Sequence, residues 1–328
     1  MIPEYKELVD YHNKYQKEVT IIVTPYCEGG CKYCLYHREK IGDRKYDQLT
    51  NVVFNYLQKL DYSQQNAIIS LEGGELLSTA LVEDEEYVKY LHMMFDNLFR
   101  MTRKSKGSHV CLSTSLENVD EIGMSVLMEI LQDHPDLRVN IAYTMERTKT
   151  DEKEHKFWNN AFMLKDRYRL GMGVLMTEGF IERTMLKRLA GFAWNKTVDF
   201  AEPHMFGDFT FSYDGINATK VYEDILGETD SRLDPKSRRG FPSFHHMDVY
   251  LTSEGIRNGF ELLRRPDSIP EEEWERLQND EEYRLYGYQQ VLDWYGCCDC
   301  KYLMTCQGML YSSYYTQKHY GNRKCLYK

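Results

Sequence analysis

Three cysteines, Cys27, Cys31 and Cys34, lie near the start of the chain at the spacing C-x3-C-x2-C. Three thiolates on one short loop can hold three irons of a four-iron cluster, which ordinarily takes four cysteines. The missing thiolate would leave one iron open to a small molecule. Structural zinc is the alternative, but zinc takes four tetrahedral ligands, commonly from C-x2-C pairs, and this triplet has no fourth partner nearby.

A second motif, Gly73-Gly74-Glu75, directly follows an apolar segment at residues 67–71. Glycines allow the backbone to adopt positive φ and to approach a ligand closely. By itself, such a turn is also compatible with an ordinary connection between a strand and a helix. Its meaning therefore depends on where the fold places it relative to the cysteine loop.

Short apolar segments alternate with amphipathic segments through residues 18–202. We predict strands at residues 18–24, 67–71, 109–114, 137–143, 172–177 and 197–202. The spacing of apolar residues predicts helices at residues 46–60, 83–101, 119–132, 154–168 and 181–192. This alternation predicts a parallel sheet with right-handed crossovers, and six units can form an open, partial barrel. In such barrels the chemistry lies at the C-terminal ends of the strands, where both motifs are found.

These patterns divide the chain into three parts. We predict a lead-in helix at residues 1–17, an α/β domain with a partial (β/α)6 TIM-type barrel at residues 18–202, and an α+β extension at residues 203–328. Four elements are predicted within the extension: a hairpin at residues 209–221, an exposed loop at residues 227–240, a second hairpin at residues 247–263 and a helical region at residues 270–293.

The extension carries a second group of cysteines near its end. Cys297, Cys300 and Cys306 follow the pattern C-x2-C-x5-C, and Cys325 lies further on. Four thiolates would complete one four-iron cluster and leave no iron open. A zinc ion held by the same four cysteines is the alternative, and the spacing permits it.

The cysteine loop resembles the signature of radical S-adenosylmethionine (radical SAM) enzymes, in which an aromatic residue, here Tyr33, precedes the last cysteine. Gly73-Gly74-Glu75 resembles the GGE motif of the same family. The resemblance implies that S-adenosylmethionine chelates the open iron. It also implies that the GGE motif receives the methionine amino group through backbone carbonyls and the Glu75 side chain. An electron would then cleave S-adenosylmethionine to a 5′-deoxyadenosyl radical that abstracts a substrate hydrogen atom.

Other contacts of the family are matched less closely. Leu76 stands where the family often has proline, and Thr114-Ser115-Leu116 stands where many relatives carry Thr-Asn-Gly. The resemblance makes Ser113, Ser115 and Thr144 candidates for hydrogen bonds to the ribose hydroxyls. Each of these side chains could equally cap the helix that follows it.

The C-terminal cysteines resemble the auxiliary-cluster region of SPASM and Twitch domains, which extend the partial barrel. A full SPASM domain holds a further cluster, but Phe260 and Leu310 stand where its cysteines would be. The resemblance therefore implies one auxiliary [4Fe-4S] cluster beside the catalytic one. Such domains are common in enzymes that modify peptides or protein side chains, which is the substrate class expected here.

Two alternatives to that expectation stay open. The substrate could be a small molecule, such as a nucleoside, a sugar or an amino-acid derivative. The chain could also be a non-catalytic iron–sulfur or zinc protein, although an electron carrier has no need of a methionine-binding turn.

Two cysteines are left outside both groups. Cys298 lies next to the predicted auxiliary cluster and could donate a hydrogen atom to a substrate radical, as in some peptide epimerases. Cys111 stands alone in the sequence. Burial as a small apolar side chain is the other interpretation of both residues.

The composition limits the classes of partner and the cell compartment expected for this chain. The net charge of −10 argues against a general nucleic-acid binder, which would carry a basic face. No apolar run approaches the roughly 18 residues of a membrane span, and no signal peptide is recognised. Nine cysteines in such a chain fit the reducing cytoplasm better than a disulfide framework. The resemblance also implies a one-electron donor, such as a flavodoxin or a ferredoxin.

Overall fold

Six parallel strands follow one another in the same order in sequence and in space. The computed structural model describes residues 16–28, 45–145, 150–176, 183–193, 199–201, 249–262, 265, 269–296 and 318. The strands are β1 (Gln16–Thr24), β2 (Asn66–Gly73), β3 (His109–Thr114), β4 (Arg138–Met145), β5 (Arg169–Met176) and β6 (Asp199–Ala201). Each neighbouring pair is parallel.

Helices connect these strands. They are α1 (Tyr46–Leu57), α2 (Thr79–Val82), α3 (Glu85–Thr102), α4 (Glu121–Asp133), α5 (Asp151–Leu164) and α6 (Arg183–Phe192). Consecutive strands are neighbours, and crossovers of this kind are right-handed, so the helices cover one face of the sheet and the sheet curls away from them. The predicted partial (β/α)6 barrel is confirmed.

Three of the helices that connect the barrel strands begin at a capping side chain rather than at the first apolar residue. Asp84, Asp120 and Thr150 each accept a hydrogen bond from a backbone N–H in the first turn of the following helix. These N–H groups have no partner within the helix, so a side-chain oxygen there stabilises the start. This is why α3 and α4 each begin two residues later than predicted from the apolar spacing.

The two faces of the sheet differ in polarity. Alternate residues of each strand, such as Ile21, Ile69 and Leu112, pack with the helices in the core and are almost fully buried. The intervening positions face the inside of the barrel. Most of them are polar: Thr20, Ser70, Glu72, His109, Cys111, Ser113, Arg138 and Asn140.

The predicted second hairpin is present, and it joins the barrel. Strands β7 (Val249–Thr252) and β8 (Gly255–Arg257) are antiparallel, and β7 also pairs in parallel with β1. The sheet order is therefore β6-β5-β4-β3-β2-β1-β7-β8 among the residues that the structure describes. Sequence patterns do not predict this pairing, because the partners are more than two hundred residues apart.

Three helices follow the hairpin: α7 (Gly259–Leu262), α8 (Glu271–Asn279) and α9 (Glu281–Tyr295). The single helical region predicted at residues 270–293 is thus two helices. Asp280 breaks it, because its extended backbone ends α8 while its side chain caps α9. Gly296 ends α9 in a left-handed conformation, with a φ of 60°, directly before Cys297 in the sequence.

Several predictions fall outside the described residues. They are the lead-in helix up to residue 15, the hairpin at residues 209–221 and the loop at residues 227–240. Strand β1 begins at Gln16, two residues earlier than predicted. Among the described helices, none has the length and apolar character needed to cross a membrane.

Candidate functional site

The segment that leads into the cysteine motif lies against the Gly73-Gly74-Glu75 motif at the C-terminal edge of the sheet. The Gly74 N–H donates to the Thr24 carbonyl at 2.8 Å, and the Glu75 N–H donates to the Tyr26 carbonyl at 3.0 Å. These bonds continue the β1–β2 pairing beyond its last pair, Thr24 and Gly73. The segment that leads into the cysteine loop is therefore held directly on the Gly73-Gly74-Glu75 turn.

Both glycines are required by this close approach. A Cβ at Gly74 would lie 1.7 Å from the Tyr26 carbonyl oxygen and 2.8 Å from the Cys27 Cβ. A Cβ at Gly73 would lie 2.1 Å from the Thr24 oxygen, and the φ of Gly73 is +154°. Side chains at either position would push the two motifs apart. The Gly-Gly pair is thus explained by contact between loops as well as by any ligand.

Cys27 lies in a polar setting at this edge. It is half-buried, and its neighbour Glu28 is exposed. The Tyr26 hydroxyl donates to Glu28 Oε1 at 2.8 Å. Burial and this bond raise the pKa of Tyr26 to about 12, so the phenol stays protonated as a donor near neutral pH.

Glu75 is the most buried acidic side chain of the site, with 2% of the residue exposed. It accepts hydrogen bonds from Thr114 and Ser115, which lie at the end of β3. Burial raises the pKa of Glu75, while the hydrogen bonds from Ser115 and Thr114 act in the opposite direction. The carboxylate thus joins the β2 loop to the β3 loop.

Ser113 and Ser115 are the candidates for ribose binding. Each donates a hydrogen bond to an acidic residue near the end of β2. The Ser113 hydroxyl donates to Glu72 Oε1 at 3.1 Å, and the Ser115 hydroxyl donates to Glu75 Oε2 at 2.9 Å. Neither caps a helix, because Asp120 caps α4. Their role toward ribose stays a prediction. So does that of Thr144, whose backbone pairs with Leu175 in the sheet.

The inside of the barrel contains a polar cluster that the sequence motifs did not reveal. Cys111 is 3% exposed and forms side-chain hydrogen bonds with Asn140 and Ser70. The Arg138 guanidinium lies 3.0 Å from His109 Nε2. Burial, followed by the positive charge of Arg138, lowers the pKa of His109 to about 4, so this imidazole is neutral at pH 7. The signal in the sequence that could have indicated this cluster is the alternation of polar and apolar residues along buried strands.

Cys111 is expected to resist alkylation in the folded chain. Burial raises the pKa of its thiol to about 11, whereas alkylation needs an accessible thiolate. We expect iodoacetamide at pH 7.5 to label Cys111 at least roughly a hundredfold more slowly in native than in urea-unfolded protein, measured by peptide mass spectrometry. Equal rates in the two states would contradict the burial of this thiol.

A groove of about 790 Å³ lies on the outer side of the barrel, along α3 and α4. Its lining includes His92, Met93, Arg100 and His134. The first three belong to α3, His134 follows α4, and α4 itself contributes Glu129; these helices cover the convex face of the sheet. The groove is therefore separate from the edge where the two motifs meet.

The remaining predicted site residues lie outside the described part of the chain. They are Cys31, Tyr33, Cys34, Cys297, Cys298, Cys300, Cys306 and Cys325. Within the described part, no group of three or more His, Cys, Asp or Glu side chains is arranged to hold a metal ion. Cys27 is the one predicted cluster ligand whose position the structure describes.

The fold is shared with solved structures. The structure of anSMEcpe with bound AdoMet and Cp18Cys peptide has a TM-score of 0.52 and 12% identity, over 93% of this chain and 96% of that chain. The structure of Streptococcus suis SuiB bound to S-adenosylmethionine has a TM-score of 0.46 and 14% identity, over 98% and 80%. No protein-family model matches the sequence, and no curated protein is similar to it in sequence. The likeness to anSMEcpe establishes a common fold.

Proposed function

We propose that this chain is a radical SAM enzyme that abstracts a hydrogen atom from its substrate. The observation that carries the proposal is the pairing of the segment before and at Cys27 with the Gly73-Gly74-Glu75 turn, through hydrogen bonds of 2.8 and 3.0 Å. Cys27, the proposed cluster ligand, lies beside a glycine turn at the C-terminal edge of a partial barrel, where barrel enzymes keep their chemistry.

The residues present fit a [4Fe-4S] cluster with one open iron. Cys27 is half-buried at the edge of the barrel, and Cys31 and Cys34 follow within seven residues. Three thiolates are the donor set that such a cluster needs when a fourth position is kept for a ligand. When bound, the cluster would supply the electron for cleavage of S-adenosylmethionine, and the resulting 5′-deoxyadenosyl radical would remove the hydrogen atom.

The turn next to Cys27 suits the methionine end of S-adenosylmethionine. The ammonium group of the methionine end needs hydrogen-bond acceptors. The Gly74 carbonyl is one candidate, because it accepts none of the backbone hydrogen bonds that join the described turns and loops. The absence of a side chain at Gly73 and Gly74 would let the cofactor approach the backbone. The anSMEcpe structure, which has the same fold, contains AdoMet.

The extension is proposed to carry one auxiliary [4Fe-4S] cluster. Cys297, Cys300, Cys306 and Cys325 would be its ligands, and the sequence pattern supports this assignment. Cys298 beside them is the candidate hydrogen-atom donor. A flavodoxin or a ferredoxin would supply the reducing electron.

The substrate is proposed to be a peptide or a protein side chain. Two facts support this class: the pattern of the C-terminal cysteines, and the peptide present in the anSMEcpe structure. The test is a binding measurement with candidate peptides on reconstituted protein in the presence of S-adenosylmethionine. Absence of peptide binding, together with uncoupled 5′-deoxyadenosine release, would favour a small-molecule substrate instead.

Anaerobic reconstitution with iron and sulfide tests the function directly. We expect about eight irons per chain, and release of 5′-deoxyadenosine and methionine after addition of dithionite and S-adenosylmethionine. Cys300→Ala should lower the iron content to about four per chain and keep the absorbance of the N-terminal cluster. A fully loaded protein that releases no 5′-deoxyadenosine would refute the enzyme assignment, and zinc at Cys297–325 would refute the auxiliary cluster.

A further inference from the structure

The carboxylate of Glu75 accepts hydrogen bonds from its own chain at both oxygens. Oε1 accepts from Thr114 Oγ1 at 2.9 Å and, in a longer contact, from the Leu77 N–H at 3.5 Å. Oε2 accepts from the Ser115 N–H at 3.0 Å and from Ser115 Oγ at 2.9 Å. A carboxylate offers about four lone-pair sites, so these donors use most of them. With 2% of the residue exposed, its own chain covers almost all of the side chain.

These donors belong to a loop with an unfavourable backbone conformation. Leu116 has a φ of 59°, and this left-handed conformation is unfavourable for a residue other than glycine. The Leu116 N–H donates to Thr114 Oγ1 at 3.1 Å, and Asn160 Nδ2 donates to the Leu116 carbonyl at 2.9 Å. Such a conformation persists only when its surroundings hold it in place. Glu75 is a main part of those surroundings.

Glu75 also connects this loop to the cysteine loop. Its backbone N–H donates to the Tyr26 carbonyl, one residue before Cys27. Its side chain holds Thr114 and Ser115, which are 39 and 40 residues further along the chain. One residue therefore sets the relative positions of the loops that follow β1, β2 and β3.

We propose that Glu75 is a positioning residue, which shapes the S-adenosylmethionine site through the β3 loop and does not contact the cofactor. This inference rests on the function proposed above. It departs from what the family resemblance implied for the Glu75 side chain. Backbone groups of the turn would meet the methionine end, and the carboxylate would keep the neighbouring loop in its left-handed conformation.

Thr114→Val is the informative variant. Thr114 is 4% exposed, and valine keeps its shape while removing both the donor to Glu75 and the acceptor for the Leu116 N–H. Glu75→Gln keeps the size of the side chain and removes its charge. Tyr87→Phe is the matched control, because its buried hydroxyl donates to the Leu76 carbonyl at 2.9 Å in the loop after β2 and is not one of the donors to the Glu75 carboxylate described above.

The first measurement is hydrogen exchange in the metal-free full chain. We expect Thr114→Val and Glu75→Gln each to speed exchange of the Ser115 amide, which donates to Glu75 Oε2, about tenfold, because both variants release the loop. Glu75→Gln should speed exchange of the Leu116 amide as well, whereas Thr114→Val removes the acceptor of that amide directly. The double variant should exchange the Ser115 amide no faster than the faster single variant, since both changes weaken the hydrogen bond between Thr114 and Glu75. Tyr87→Phe should leave these amides as protected as in the parent chain.

The second measurement is the KM for S-adenosylmethionine of the reconstituted protein. We expect Thr114→Val to raise this KM about tenfold with less than a twofold change in kcat. The reason is that the free energy needed to re-form the loop is taken from the free energy of binding. Glu75→Gln should raise it to a similar extent, and the double variant no further.

The outcomes separate the two proposals. If Glu75→Gln weakens binding while Thr114→Val binds like the parent chain, then Glu75 contacts the cofactor and the positioning role is wrong. Unchanged exchange in both variants would also overturn it, with or without cofactor. Failure of the loaded parent protein to release 5′-deoxyadenosine would refute the proposed function alone, because the exchange experiment needs no cofactor.

Discussion

Gly74→Ala is expected to weaken S-adenosylmethionine binding at least about a hundredfold and to impair loading of the N-terminal cluster. The new Cβ would lie 1.7 Å from the Tyr26 carbonyl oxygen, and both are joined to backbone that cannot move independently. Relief of this overlap must break the bonds of Gly74 to Thr24 and of Glu75 to Tyr26. Cys27 would move with the displaced segment. We expect a loss of roughly 1–3 kcal/mol in the free energy of unfolding as well.

Gly191→Ala is the matched control for this prediction. It makes the same chemical change in helix α6, where an added Cβ would meet nothing within 4 Å. Alanine favours helix over glycine by about 1 kcal/mol, so stability should be equal or slightly higher. Urea unfolding, iron content and S-adenosylmethionine binding measured on both variants give the comparison. Parent-like binding by Gly74→Ala would show that the two motifs are not packed as described.

Cys27→Ala is expected to abolish release of 5′-deoxyadenosine. Two remaining thiolates, those of Cys31 and Cys34, cannot hold a four-iron cluster that leaves a single iron open. Iron should fall from about eight to about four per chain, the remainder being the auxiliary cluster. Iron analysis and mass spectrometry of the reaction products after reduction with dithionite measure both effects.

Cys111→Ala provides the matched cysteine control. This thiol is buried inside the barrel and is held by Ser70 and Asn140. Its removal should leave the iron content unchanged and cost about 1 kcal/mol of stability from lost packing. Turnover by a Cys27→Ala protein would exclude the N-terminal loop as the site of the catalytic cluster. Loss of iron from Cys111→Ala would place that thiol among the ligands.

Most of the barrel could be predicted from the sequence because its signals are local. Strand β3 was predicted with its observed bounds, and the other strands within a few residues. The starts of α3 and α4 were each predicted two residues early, since capping by Asp84 and Asp120 determines them rather than apolar spacing. The parallel pairing of β7 with β1 was not predicted, because no short-range pattern specifies a partner so distant in sequence.

In the candidate site, too, local sequence signals could be interpreted and contacts between distant residues could not. Spacing along one loop was enough to single out Cys27, Cys31 and Cys34 as candidate cluster ligands. Residues that are so near to one another in sequence must also be near in space. The placement of that loop and the Gly73-Gly74 turn at the same edge of the sheet was an expectation from topology, and the described residues show hydrogen bonds from Gly74 and Glu75 to Thr24 and Tyr26, just before Cys27. The inner polar cluster around Cys111 was not anticipated, because its members come from separate strands.

The sequence by itself determined the ligand types, their spacing and the succession of strands and helices, since each is a property of neighbouring residues. Only the tertiary structure decided what the polar side chains at the strand ends do. For Glu75 the structure shows that its oxygens accept from Thr114 and Ser115, 39 and 40 residues away. Such bonds depend on the register of β2 against β3, which the whole packed sheet sets.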